Sequence, residues 1–342
     1  MDSVPSSAAS TAITVEEARD AAAIQAAWRV LDASGYLDLT APEQRAENRA
    51  RFFARYTHHH EPRPAHRVLL ARMAGRVVAT ITIGRLLGTT WTVQHFAVDP
   101  SVRGESDIKR AVCSTLYGRA VAELGGRSDC FDVVVYCDAR KAFNRFVYGQ
   151  FAARLGQRHR CSQRGLVVRK ALAAEPEAAH DIGCRVASPD QAEAVRARTT
   201  ADMPVAEARA LGFLGPTAPA RTVLLPDADA PTAALILDAG EPGVNLFSLS
   251  SPCRLVPLAA RMRPDHVVAL VRGASAFLHD HGFGEFTVFA GPKDAIADDV
   301  ATPAGLSAQI PGFCFVAHRD ALADWQRHIE SGLLSSRTGV AS

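Results

Sequence analysis

His95 is the side chain on the central strand-like stretch that titrates near neutral pH, and it stands beside Gln94 in residues 91–98, WTVQHFAV. An imidazole there can take a proton, whereas a glutamine amide cannot. Strict strand alternation puts the two side chains on opposite faces, so at most one of them points into a cleft along this strand. Asp99-Pro100 ends the stretch, and Asp before Pro reads first as a turn residue. Arg103-Gly104 makes the next turn. From Asp107, the apolar residues Ile108, Ala111, Val112, Leu116, Ala120 and Val121 recur at helical spacing. A strand, a glycine turn and a helix in this order aim backbone N–H groups and the positive end of the helix at the strand end. That arrangement suits a phosphate-bearing ligand, and Arg103 adds a guanidinium for it.

Two other groups invite a chemical reading. Consecutive histidines point in different directions, so His58-His59-His60 reads as an exposed polar loop rather than as a metal site, and no HExxH is present. Cys137 ends an apolar strand, but a nucleophilic cysteine needs a base and a lowered pKa that spacing alone does not supply. The seven cysteines are scattered without a CxxC, which fits free thiols in a reducing compartment. No metal is expected.

The elements that must position these residues follow from pattern. Residues 1–12 read as a disordered tail. Thr14 with Glu17 reads as a capping box opening a helix that runs to Asp32, with Gly35 as its C-cap. A second helix is expected over 41–56. Residues 66–73 and 76–86 form a hairpin turning at Ala74-Gly75. Residues 132–137, DVVVYC, are a buried strand; 138–155 a helix; and a closing strand lies around 166–169.

The segment HFAVDPSVRG, followed by a helix, resembles the strand-to-helix core of the GNAT superfamily of acyl-CoA N-acyltransferases. In that family the turn continues Arg/Gln-x-x-Gly-x-Gly/Ala and binds the pyrophosphate of the donor. Arg103 matches its first position, while Ser106 and Ile108 replace its small residues. A branched side chain at Ile108 crowds the approach of a pyrophosphate. The resemblance implies an α/β (α+β) fold with mixed, mainly antiparallel sheets flanked by helices. It implies donor binding by Phe96, Ala97, Val98, Arg103, Gly104, Ser106 and Asn144. It also places the usual base at Gln94, leaving His95 to serve, and the usual acid at Tyr148.

The implied co-substrate is acyl-CoA or acetyl-CoA. The altered turn also admits an acyl group on the phosphopantetheine arm of an acyl carrier protein, which has no adenosine pyrophosphate to cradle. The acceptor is a small amine or amino acid. The competing reading is a non-catalytic GNAT-like binding or scaffold protein, favoured by the missing glycines and the missing strand glutamate.

At 342 residues the chain is long enough for two domains. The second half repeats the order of the first: strands at 221–225, 232–238 and 244–249, a helix at 267–282, strands at 286–290 and 312–317, and a helix at 319–332. The expected organisation is a tandem pair of GNAT-like domains: 13–175, a linker at 176–182, 183–334, and a tail at 335–342. In the second unit SSPCRLVPLAARMRP replaces the glycine turn, and its Arg254, Arg261 and Arg263 make a different loop or a basic mouth.

A net charge of +2 is too small to argue for nucleic acid or a membrane surface. Residues 1–12 lack the features of a signal peptide, and no run is long and apolar enough to span a bilayer, so a cytoplasmic location is expected.

Overall fold

A computed structural model describes residues 12–35, most of 46–57, 66–102, 106–155, 161–175, 183–201, 203–210, 222–237 and 251–334. The described residues open with a strand, not with the helix read from Thr14. β1 (Ile13–Glu17) pairs antiparallel with β2 (His66–Met73). Helix α1 (Ala21–Ala33) starts only after Asp20, whose carboxylate accepts the Ala23 N–H at 2.8 Å. The alternation of Ile13, Val15 and Glu17 outweighs the local capping signal because a neighbouring strand is there to pair with. Ala74 and Gly75, both with positive φ, turn the chain from β2 into β3 (Arg76–Leu87). β4 (Thr90–Val98) completes the meander.

After β4 comes helix α2 (Ser106–Gly125), then β5 (Asp132–Asp138), which is parallel to β4. Helix α3 follows in three parts: a first turn (Ala142–Asn144), a π-helical segment (Arg145–Gln150) and a last stretch (Phe151–Leu155). Next is β6 (Cys161–Leu172), far longer than the strand read around 166–169. The second half runs β7 (Cys184–Val186), α4 (Pro189–Ala201), α5 (Val205–Ala210), β8 (Thr222–Pro226), β9 (Ala233–Leu237), β10 (Ser251–Pro257), α6 (Pro264–Asp280), β11 (Glu285–Ala290), β12 (Ile310–His318) and α7 (Leu322–Leu334).

The fold is mixed α/β, with a mostly antiparallel sheet flanked by helices on both faces. Two independent sheets were the expectation from sequence. Instead one twelve-stranded sheet runs through both halves in the order β1-β2-β3-β4-β5-β12-β6-β11-β10-β9-β8-β7. The last strand of each half stands among the strands of the other: β12 pairs with β5, and β6 pairs with β11. An apolar strand pattern carries no information about which half it will pair with, and that is why the exchange is invisible in sequence. The expected linker at 176–182, the strand at 244–249, the tail at 335–342 and nearly all of the N-terminal tail lie outside the described residues, as do His58, His59 and His60. In the second half the structure puts a strand where the sequence suggested a loop, since Arg254 lies inside β10.

One face of the sheet packs against α2, α3, α7 and α6 through two large apolar clusters. The other is covered by α1, α5 and α4 in turn along the sheet. Trp91, Trp325 and Phe315 are among the largest fully buried side chains, so the exchanged segment β12–α7 is part of the first half's core. No helix among the described residues is long and apolar enough to cross a membrane.

Candidate functional site

Parallel strands β4 and β5 pair only at Thr90↔Asp132 and Trp91↔Val133, then separate. On the other side of β4 the register steps from Thr82↔Gln94 to Thr80↔Ala97, so His95 and Phe96 both stand opposite Ile81. This is a β-bulge, and His95 takes φ = 53° to make it. A left-handed conformation at a non-glycine residue costs about 1–3 kcal/mol and persists only where the surroundings enforce it.

The bulge resets the alternation. Val93 and Phe96 pack on the α2 side, while Ala97 joins the core under α1. His95 also lies on the α1 side, where its ring meets Tyr56 edge-on at 5.7 Å. Gln94, alternating with Val93, is on that side too. Strict alternation had put Gln94 and His95 on opposite faces; the extra residue of the bulge puts them on the same one.

His95 is 1% exposed. Burial pushes its pKa down to about 3, and the nearby His66 acts in the same direction. The imidazole is therefore neutral at physiological pH and a weak base. Both amide atoms of Gln94, and the hydroxyls of Thr80 and Thr82 on the same face, are buried without a hydrogen-bond partner among the described residues. Such groups are costly to bury unless something polar meets them.

On the α2 side, aromatic rings meet across the gap between the parted strands. Phe96 of β4 stacks on Phe143 of α3 at 4.9 Å, and Tyr117 of α2 meets both edge-on. Behind them Tyr148 is buried, its hydroxyl in contact with that of Tyr117 and its ring against Phe315 and Trp325. Tyr148 sits in the π-helical segment. Helix α7 holds that segment from outside: Trp325 Nε1 donates to the Val147 carbonyl and His328 Nε2 to the Phe146 carbonyl, each at 2.9 Å. The His328 ring stacks on Phe146 at 4.7 Å.

A π-turn is an irregularity that recurs at functional positions, and here its geometry depends on the last helix of the chain. Trp325→Phe, which keeps an aromatic ring but removes the donor, is expected to cost about 1–3 kcal/mol of stability by urea titration, because the Val147 carbonyl is left buried and unmet.

The other residues suggested by sequence are distributed as follows. Arg103 and Gly104 lie outside the described residues. Ser106 is the first residue of α2, and Ile108 packs partly buried against the adjoining core. Val98 is buried on the α2 side and Ala97 under α1. Asn144 donates to the Asp138 carbonyl at 3.0 Å, so its amide fastens the start of α3 to the end of β5. Cys137 is no nucleophile: burial, with the Asp138 charge adding to it, pushes its thiol well above the ordinary range. Among the described residues no three His, Cys, Asp or Glu side chains are grouped to hold a metal.

Sequence reading missed Tyr117, Phe143, Trp325 and His328. Tyr117 and Phe143 had a signal, since both lie on the two helices that flank the parted strands. Trp325 and His328 had none, because they arrive through the strand exchange.

No family profile and no curated protein matches the chain at a significant level. Solved structures do resemble it. A GCN5-related N-acetyltransferase from Sphaerobacter thermophilus aligns over 90% of this chain and 96% of its own, at 13% identity and a TM-score of 0.47. A tandem GNAT protein from the clavulanic acid biosynthesis pathway aligns over 90% and 99%, at 15% identity and a TM-score of 0.41. Saccharomyces cerevisiae N-myristoyltransferase aligns over 93% and 82%, at 9% identity and a TM-score of 0.42. The chain is similar to these proteins along nearly its whole length, at a distance where only the arrangement of elements is compared.

Proposed function

We propose that the protein is an N-acyltransferase that moves an acyl group from a thioester, carried on CoA or on an acyl carrier protein, to a small amine or amino acid. The observation that carries this reading is the parting of β4 from β5 beyond Trp91, with a bulge at His95 further along β4, α2 following β4 and Tyr148 behind the rings that meet across the gap. Parted strands leave backbone N–H and C=O groups of β4 without a ladder partner, and such groups can bind a pantetheine arm and polarise a thioester carbonyl. The positive end of α2 and Arg103 serve the phosphate of the donor.

The acceptor approaches from the α1 side, where Gln94, Thr80 and Thr82 offer unmet polar atoms. His95 positions the acceptor rather than deprotonating it, because its pKa is far below that of an amine. The nitrogen of the neutral amine attacks the thioester carbon and the C–S bond breaks; the departing thiolate takes the Tyr148 hydroxyl proton, and the proton that the amine loses returns to the Tyr148 oxygen, with Tyr117 as the next hydroxyl behind it.

Two features favour a non-catalytic binding protein instead. The stacked Phe96 and Phe143 occupy the gap, and β4 has no carboxylate there.

Isothermal titration with CoA, an acyl-CoA and the matching acyl-pantetheine tests the proposal. Saturable binding of a donor, weakened about 5- to 150-fold by Arg103→Ala, is expected from the loss of a charge-assisted hydrogen bond worth about 1–3 kcal/mol. Ile108 predicts that pantetheine-type donors compete well with CoA. No binding of any of the three overturns the enzymatic reading. A donor that binds but is not turned over with any amine favours the alternative.

A further inference from the structure

Glu207 of α5 is fully buried at the middle of the sheet and joins strands from both halves. Its Oε2 accepts from Arg164 Nε at 3.0 Å; its Oε1 accepts the Tyr136 hydroxyl at 2.9 Å and a second Arg164 N–H. Arg254 of β10 approaches the same carboxylate, but only to 3.5 Å from Oε1, and its Nη1 is buried without a hydrogen bond among the described residues. Two guanidinium groups thus share one carboxylate. Tyr136 does not balance the charge, because burial and the neighbouring Glu207 hold its phenol protonated.

Among the described residues one positive charge of this cluster is left over. Burial and the repulsion of Arg164 disfavour the charged form of Arg254, yet arginine does not give up its proton in proteins. The charge therefore calls for an anion. The ladder between β10 and β11 ends at Arg254↔Phe289, so the guanidinium stands where the pairing stops. Side-chain exposures of 12% for Arg254 and 20% for Arg164 mean that the pair is not fully sealed from solvent.

We propose that this junction is an anion-binding site of the second half, in which Arg254, backed by Arg164, takes the oxyanion of a small carboxylate- or phosphate-bearing ligand. It is distinct from the donor cleft and does not depend on the proposed acyl transfer. The planar guanidinium matches either oxyanion in a two-pronged pair.

Thermal unfolding in increasing inorganic phosphate, or acetate, at constant ionic strength set with chloride, tests this in the whole protein. At least one of the two is expected to raise the midpoint saturably above the chloride control, which also separates phosphate from carboxylate chemistry. Arg254→Met should lose the rise, with affinity at least tenfold weaker, while Arg103→Ala keeps it. Arg254→Met removes the surplus charge at similar volume and is expected to fold. Should it not, Arg254→Lys keeps the charge without the planar fork and should weaken the same titration. A midpoint that follows chloride for both anions overturns the proposal, as does a rise that survives in Arg254→Met. A rise lost in Arg103→Ala assigns the anion to the donor cleft and overturns it too.

Discussion

Glu207→Ala is expected to destabilise the protein by about 3–5 kcal/mol, the cost of leaving buried charges without their partner. The side chain has no solvent exposure and holds Tyr136 from β5, Arg164 from β6 and the approach of Arg254 from β10. Its removal sets two guanidinium groups against each other in a medium that screens them poorly. Because those strands come from both halves and from the exchanged pair, the loss should appear as one cooperative shift of the urea midpoint. Arg254→Met is the contrasting variant, since it relieves an imbalance and should cost little. A Glu207→Ala midpoint within about 0.5 kcal/mol of wild type, the range of ordinary surface substitutions, would mean that the cluster does not hold the halves together.

Acid is expected to weaken the protein through His95. Its folded-state pKa of about 3 lies well below the ordinary 6.5, so in the window between them the unfolded chain binds a proton that the folded chain refuses. Stability therefore rises with pH from about 3 to 6.5. Above that range the imidazole is neutral in both states and contributes no slope; below it the full penalty is present. A difference of this size corresponds to as much as about 5 kcal/mol between the two ends of the window. His95→Asn should remove this part of the slope. Asparagine does not titrate, and it tolerates the left-handed conformation that the bulge imposes. The readout is the difference in unfolding free energy between variant and wild type at pH 7 and near pH 4, which cancels carboxylates common to both. Parallel profiles would show that His95 takes up its proton in the folded state without strain.

Much of the first half was legible in the residues themselves. The hairpin turn at Ala74-Gly75, the strands on either side of it, β4, the helix α2 after it and the apolar β5 all follow from local rules of alternation, helical spacing and turn chemistry. The mixed α/β class with a mainly antiparallel sheet was what the resemblance of HFAVDPSVRG implied, and the structure has it. The end of β4 and the start of α2 could be located because they are encoded side by side.

Three features came only with tertiary structure. The bulge at His95 depends on β3 presenting one residue where β4 presents two, so alternation within β4 could not disclose that Gln94 and His95 share a face. Thr14 and Glu17 satisfy the rule for a helix start, yet β2 offers a ladder, and paired backbone groups override a weak local signal. The exchange of β6 and β12 is a choice between pairings that are nearly equivalent in pattern, made by packing along the whole strand and not by any one residue. That choice carries Trp325 and His328 behind Tyr148 and gathers Arg164, Arg254 and Glu207 at one point, because contacts between residues far apart in the chain exist only once the strands have found their neighbours.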